Sequence, residues 1–204
     1  MSVSYNGFVF INCPFDEEFK DMLYAIVFTV YRCGFKPRSA LEEDNALNNR
    51  LAKIEKLIEE SRFGIHDISR TETNNIALPR FNMPFELGIF FGAKKFGDQE
   101  QKNKVALVLE REKYLYQQYI SDLNGIDTKA HGGNPEKAIK IVRDWLRVSS
   151  GEKGIDGHIK IVKDYREFRQ KMPGITTDSG LDINELTFTD YCLMVEEALS
   201  INML

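Results

Sequence analysis

Three short runs limit the fold of this chain more than any other feature: "FVFIN" at Phe8–Asn12, "FGIHDIS" at Phe63–Ser69 and "KVALVLE" at Lys104–Glu110. Each is rich in β-branched or aromatic residues, and none alternates cleanly between apolar and polar. A strand with one wet face would alternate, so these runs read as strands buried on both faces. Helical segments separate them, and strands that alternate with helices build a parallel sheet covered on both sides. The expected class is α/β.

The connecting segments carry helix punctuation. Asp16 can cap a helix, Glu17 and Glu18 fall in its first turn, and Gly34 stands where a C-terminal glycine belongs. "FKPRSAL" reads as a weak strand interrupted by Pro37, and Leu47, Leu51, Ile54, Leu57 and Ile58 mark one face of the next helix. Asn134 followed by Pro135 marks a further helix start. "SSGEKG", Ser149–Gly154, is the best linker, dividing a domain over residues 1–148 from a helical extension over 149–204. Pro173 and Gly174 are expected to separate two helices there, packed on the core or on a second copy of the chain. The second case would make a homo-oligomer.

Composition excludes several classes. Lys plus Arg number 27 against 31 Asp plus Glu, and the clusters near Lys94, Lys95, Lys102 and Lys104 are small, which disfavours nucleic acid. Cys13, Cys33 and Cys192 lack metal-ligand spacing, so no metal is expected. Their odd number and the missing secretory signal suggest reduced thiols in the cytoplasm. The apolar run "MLYAIVFTVY" is too short to cross a bilayer. No Walker loop, GxGxxG fingerprint or GxSxG elbow is present, which disfavours an ATPase, a dehydrogenase and a serine hydrolase.

Open parallel sheets bind ligands beyond the carboxyl ends of their strands. That rule selects the loops Asn12–Asp16, Asp67–Arg70 and Phe81–Glu86. Glu86 lies in "PRFNMPFELGIFFGAKKFG", where its neighbours Phe85, Leu87, Ile89, Phe90 and Phe91 are apolar nearly all round. The helix dipole alone would favour an acid in a first turn. A helix buried on several faces makes a surface glutamate less expected. Gly88 and Gly92 form a smooth stripe that would admit another backbone or a ligand. Asn12, Ser69 and Asn82 can hydrogen-bond a ligand there, and Phe10, Phe15 or Phe81 can stack on one. His66 and Asp67 are strand neighbours that face opposite ways, so they would not share a site, and His66 reads as a core residue. His131 lies in "AHGGN", which reads either as a phosphate rest or as a plain turn, and Asp122 either reaches the cleft or caps a turn.

"VFINCPF", "LIEESRFGIHDIS" and "NMPFELGIFFGAKK" followed by "KVALVLE" together resemble the nucleoside 2-deoxyribosyltransferase-like and Toll/interleukin-1-receptor-like (TIR-like) superfamily. The likeness covers roughly residues 7–148, with "FELG" its most specific block. It implies a flavodoxin-like three-layer sandwich, to which the helical C-terminal extension read above is added. It also implies Glu86 as the carboxylate that attacks or stabilises the sugar carbon of an N-glycosidic bond. Asp67 would hold a base or ribose hydroxyl, and Asn12, Pro14 and Phe15 would line the sugar pocket. Before the "FE" pair this chain carries Asn82, Met83 and Pro84, where deoxyribosyltransferases have small residues. Arg80, where an acid is common in those enzymes, suits a phosphate. The expected activity is therefore NAD hydrolysis or cyclisation in bacterial defence, with NAD as substrate and no cofactor. The alternatives are nucleoside transfer and a non-catalytic nucleotide sensor or assembly module.

Overall fold

The protein is described by a computed structural model that covers residues 5–43, 45, 47, 49–69, 81–123 and 125–201. Its strands are β1 (Phe8–Asn12), β2 (Lys36–Arg38), β3 (Phe63–Asp67), β4 (Val105–Glu110) and β5 (Lys129–Ala130). The helices among the described residues are α1 (Lys20–Arg32), α2 (Arg50–Glu59), α3 (Asn82–Phe96), α4 (Pro135–Ser150), α5 (His158–Asp178) and α6 (Phe188–Ser200). All five strands pair in parallel in the order β2-β1-β3-β4-β5, which is the flavodoxin-like arrangement. Pro37 is tolerated because β2 is an edge strand, opposite Val9 of β1.

Alternate strand residues face different layers. Val9, Ile11, Phe63, Ile65, Leu107 and Leu109 pack against α1 and α4, whereas Phe10 packs with Ile54, Leu57 and Ile58 of α2 and Phe90 of α3. These are the three layers of the sandwich. Between β4 and β5, where a further helix would cover the sheet, short 3-10 turns at Leu115–Gln118 and Ser121–Leu123 do so instead. Tyr116 there closes a small core with Ile68, Met83, Leu87 and Val108.

The helix starts follow the side chains. Asp16 accepts the Phe19 amide at 3.1 Å ahead of α1, and Asn134 accepts the amides of Glu136 and Lys137 with Pro135 at the first position of α4. Gly34, at φ 85°, closes α1 in the left-handed region. Helix α1 is buried continuously from Met22 to Val30 because α5 and α6 cover the side that the sheet leaves free. No helix among the described residues is long and apolar enough to cross a membrane.

Four details differ from the sequence-based expectation. Helix α2 begins at Arg50 on an Asn49 cap, so Leu47 lies outside it and is 94% exposed. Helix α4 runs through Ser150, which takes in the first two residues of the expected linker. Helix α5 continues through Pro173 and Gly174; both are exposed, so solvent can serve the carbonyl that proline leaves unbonded. Helix α3 is not apolar on every buried side: Phe81 and Phe85 are each 58% exposed and Phe96 is 85% exposed. A side chain placed on Gly88 or Gly92 would meet nothing within 4 Å, so the glycine stripe faces solvent.

Candidate functional site

Helix α3 buries the face made by Met83, Glu86, Leu87 and Phe90, an i, i+3, i+4, i+7 set. Packing of the three apolar members fixes the helix register, and that register carries Glu86 inward with them. The carboxylate stands in the second turn rather than the first, because the helix begins at Asn82 and places Pro84 third. It is 5% exposed and forms no hydrogen bond among the described residues. Burial pushes its pKa up to about 7, with Arg50 opposing the shift.

The helix start is tied to the sheet by Asn12. Its Nδ2 donates to the Met83 carbonyl at 2.8 Å and lies 3.1 Å from His66 Nδ1. Both amide hydrogens are thereby used, and His66 Nδ1 must accept, which leaves the ring proton on Nε2. That nitrogen has no hydrogen-bond partner among the described residues, and the rings of Phe10 and Phe90 lie edge-on to the imidazole with centroids 5.9 and 4.9 Å away. Burial, helped by Lys104, holds the His66 pKa at about 3, so the imidazole stays a neutral acceptor. Gly64 is required beneath it: a Cβ there would stand 2.7 Å from both His66 Nε2 and a Phe90 ring carbon.

Asn12→Ala should therefore lose about 2–3 kcal/mol of stability, because it orphans a buried carbonyl and a ring nitrogen. Urea unfolding measures the loss, and unchanged stability would mean that the Asn12 amide does not hold the two groups as described.

Asp67 lies on the opposite sheet face from His66. Its Oδ1 accepts the Ser69 amide at 3.0 Å, and Ser69 Oγ lies 3.0 Å from His131 Nε2. Asp67 Oδ2 is also 3.0 Å from that nitrogen but lacks hydrogen-bond alignment, so it is a close contact rather than a directed bond. His131 Nδ1 accepts the Gly133 amide at 2.9 Å, so its proton sits on Nε2. A serine nucleophile needs a free imidazole nitrogen facing its hydroxyl and an acid on the other. Here acid and hydroxyl crowd the same protonated nitrogen, and Ser69 is not activated.

Cys13 connects the two halves. Burial raises its thiol pKa well above the usual range, and the carboxylates of Asp67, Glu86 and Asp16 add to the effect. Acids that follow β1 and β3 and one on α3 thus all act on the charge of one buried thiol at the carboxyl edge of the sheet.

The other sequence-selected residues take varied places. Pro14 and Met83 are buried, and Met83 supplies core packing as well as its carbonyl. Asn82 is exposed on the first turn of α3, and Asp122 is exposed on the Ser121–Leu123 turn. Phe15 turns toward α1, lining a cavity of about 270 Å³ with Tyr24, Leu186 and Phe188. Arg80 lies outside the described residues. Sequence reasoning did not place Arg50 near Glu86, nor His131 with Ser69, 62 residues apart; only the "HGGN" loop hinted at the second. Comparison with known proteins finds no family model, curated protein or solved structure that matches this chain.

Proposed function

We propose that this protein cleaves the N-glycosidic bond of a nucleotide, with NAD the leading substrate and Glu86 the catalytic carboxylate. The observation that carries the reading is a glutamate held 5% exposed at the carboxyl edge of a parallel sheet, with its pKa raised to about 7. A carboxylate so desolvated gains most from a cation placed against it. In NAD the bond from the ribose carbon to the nicotinamide nitrogen breaks with its electron pair leaving on nitrogen. The ring departs neutral and needs no general acid. The sugar becomes an oxocarbenium-like cation that ionised Glu86 stabilises or traps, and water or another hydroxyl then completes hydrolysis or transfer.

Incubation with NAD and with deoxynucleosides, for the wild type and Glu86→Gln, tests this reading. The expected result is NAD turnover that falls at least 1000-fold in the variant, with kcat/KM of the wild type rising from pH 6 to 8 as Glu86 ionises. Equal product from both proteins would remove Glu86 from the mechanism. A transferase acting on deoxynucleosides is the outcome if only those are consumed. A non-catalytic assembly module is favoured by a separate observation, the exposed Phe81, Phe85 and Phe96 along α3, and gains support if neither substrate turns over. The role in bacterial defence rests on the superfamily resemblance.

A further inference from the structure

A second cavity, of about 350 Å³, opens on the α1 and α4 side of the same sheet edge. It gathers residues that follow four strands: Phe19 after β1, Ser69 after β3, Arg111 after β4 and His131 after β5. Its floor is polar and closed, since Ser69 and His131 are both more than nine-tenths buried. With His131 Nε2–H directed to its oxygen, the Ser69 hydroxyl keeps its own proton for a ligand acceptor. Arg111 is an exposed part of the lining, and its guanidinium makes no ion pair among the described residues.

The glycine pair beside Arg111 is left-handed, at φ 65° for Gly132 and 72° for Gly133. A Cβ on Gly133 would lie 3.8 Å from Arg111 Nε, and one on Gly132 would lie 4.0 Å from Lys137 Nζ. Two cations therefore flank a loop with no side chains of its own. The loop amides are already committed to Arg111 O and His131 Nδ1, and Asn134 caps the first amides of α4. Recognition must come from the side chains. The lining also includes Glu18 and Asp21, the latter paired with Arg169 at 2.8 Å. A cavity lined by a guanidinium and a buried hydroxyl donor matches a phosphate ester.

We propose that this cavity is the phosphate subsite for the nucleotide, with Arg111 and the Ser69 hydroxyl holding the 5′-phosphate. This rests on the nucleotide reading above and deepens it, because it selects phosphorylated nucleotides over free nucleosides.

Calorimetric titrations of AMP, adenosine and inorganic phosphate, on the wild type, Arg111→Ala, Ser69→Ala and Glu86→Gln, test it. AMP should bind the wild type at least tenfold more tightly than adenosine, by a margin that shrinks with salt. Arg111→Ala, an exposed change, should abolish the margin, Ser69→Ala should reduce it, and Glu86→Gln should leave it intact. Equal or undetectable binding of AMP and adenosine overturns the subsite, as does an AMP preference that survives Arg111→Ala. If NAD is cleaved through Glu86 while Arg111→Ala leaves its KM unchanged, the subsite fails and the glycosidic reading stands. If the Arg111-dependent AMP preference is present but no glycosidic bond is cleaved, the subsite stands and the glycosidic reading fails.

Discussion

Glu86→Gln is expected to stabilise the fold above neutral pH while it removes turnover. The sign follows from the raised pKa. Below about pH 4.5 the carboxyl is protonated in both folded and unfolded chains, and its ionisation contributes no difference. Between there and about pH 7 the unfolded chain releases the proton while the folded one keeps it, so stability falls as pH rises. Above that window both are ionised and the loss stays constant. A shift of this size, in which the Arg50 charge is already included, corresponds to about 3 kcal/mol, reduced to roughly 2 by the water that reaches the carboxylate. For a chain of this length that is roughly 4–8 °C in Tm. Thermal scans should show wild type and Glu86→Gln melting together near pH 4 and separating by this amount at pH 8. A separation that does not change with pH would mean the carboxylate is not desolvated as described, and the site would lose its physical basis. Under the proposed function, stability would trade against activity, because the same desolvation would serve both.

Much of this was legible in the chain because local patterns agreed with the fold. The runs in β1, β3 and β4 lacked polar alternation because helices cover both sheet faces, and Asp16, Gly34, Asn134 and Pro135 marked boundaries that the structure keeps. Helix α3 shows where such reading stops. Its aromatic residues lie all round, so composition gave no way to know that Phe85 faces water while Glu86 faces inward. Only the register set by Met83, Leu87 and Phe90 against the sheet decides that. Strand β5, two residues long, carries no pattern. It is held by pairing with Leu109 and Glu110, and Glu110 also accepts from the Thr128 hydroxyl. The grouping of Asp67, Ser69 and His131 depends on two strands and a loop meeting in space, which no spacing records.

A chain ended after Ser150 is expected not to fold. The C-terminal helices bury Ile161, Phe168, Met172, Tyr191 and Val195 in the same core as β1, β3 and α1. Phe168 stacks on Phe28 at 5.5 Å, Tyr191 stacks on Tyr24 at 3.8 Å, and Arg32 of α1 reaches Asp156 and Asp164 at 2.8 Å. Losing five such side chains, at about 1.5–3 kcal/mol each, forfeits on the order of 10 kcal/mol, comparable with the whole stability of a typical domain. The truncated chain should lose its near-ultraviolet dichroism and cooperative melting. A separable appendage would leave both intact. Phe168→Ala in the full chain gives the graded form of the test, with an expected loss of about 3–5 kcal/mol. Hydrogen exchange then distinguishes the cases: in a single folding unit the β1 and β3 amides lose protection by that same amount, whereas in a divided one only α5 and α6 do. Because Asn12 hangs from β1 and orients the turn that carries Glu86, the first result would tie the chemistry at the sheet edge to helices on the far side of α1.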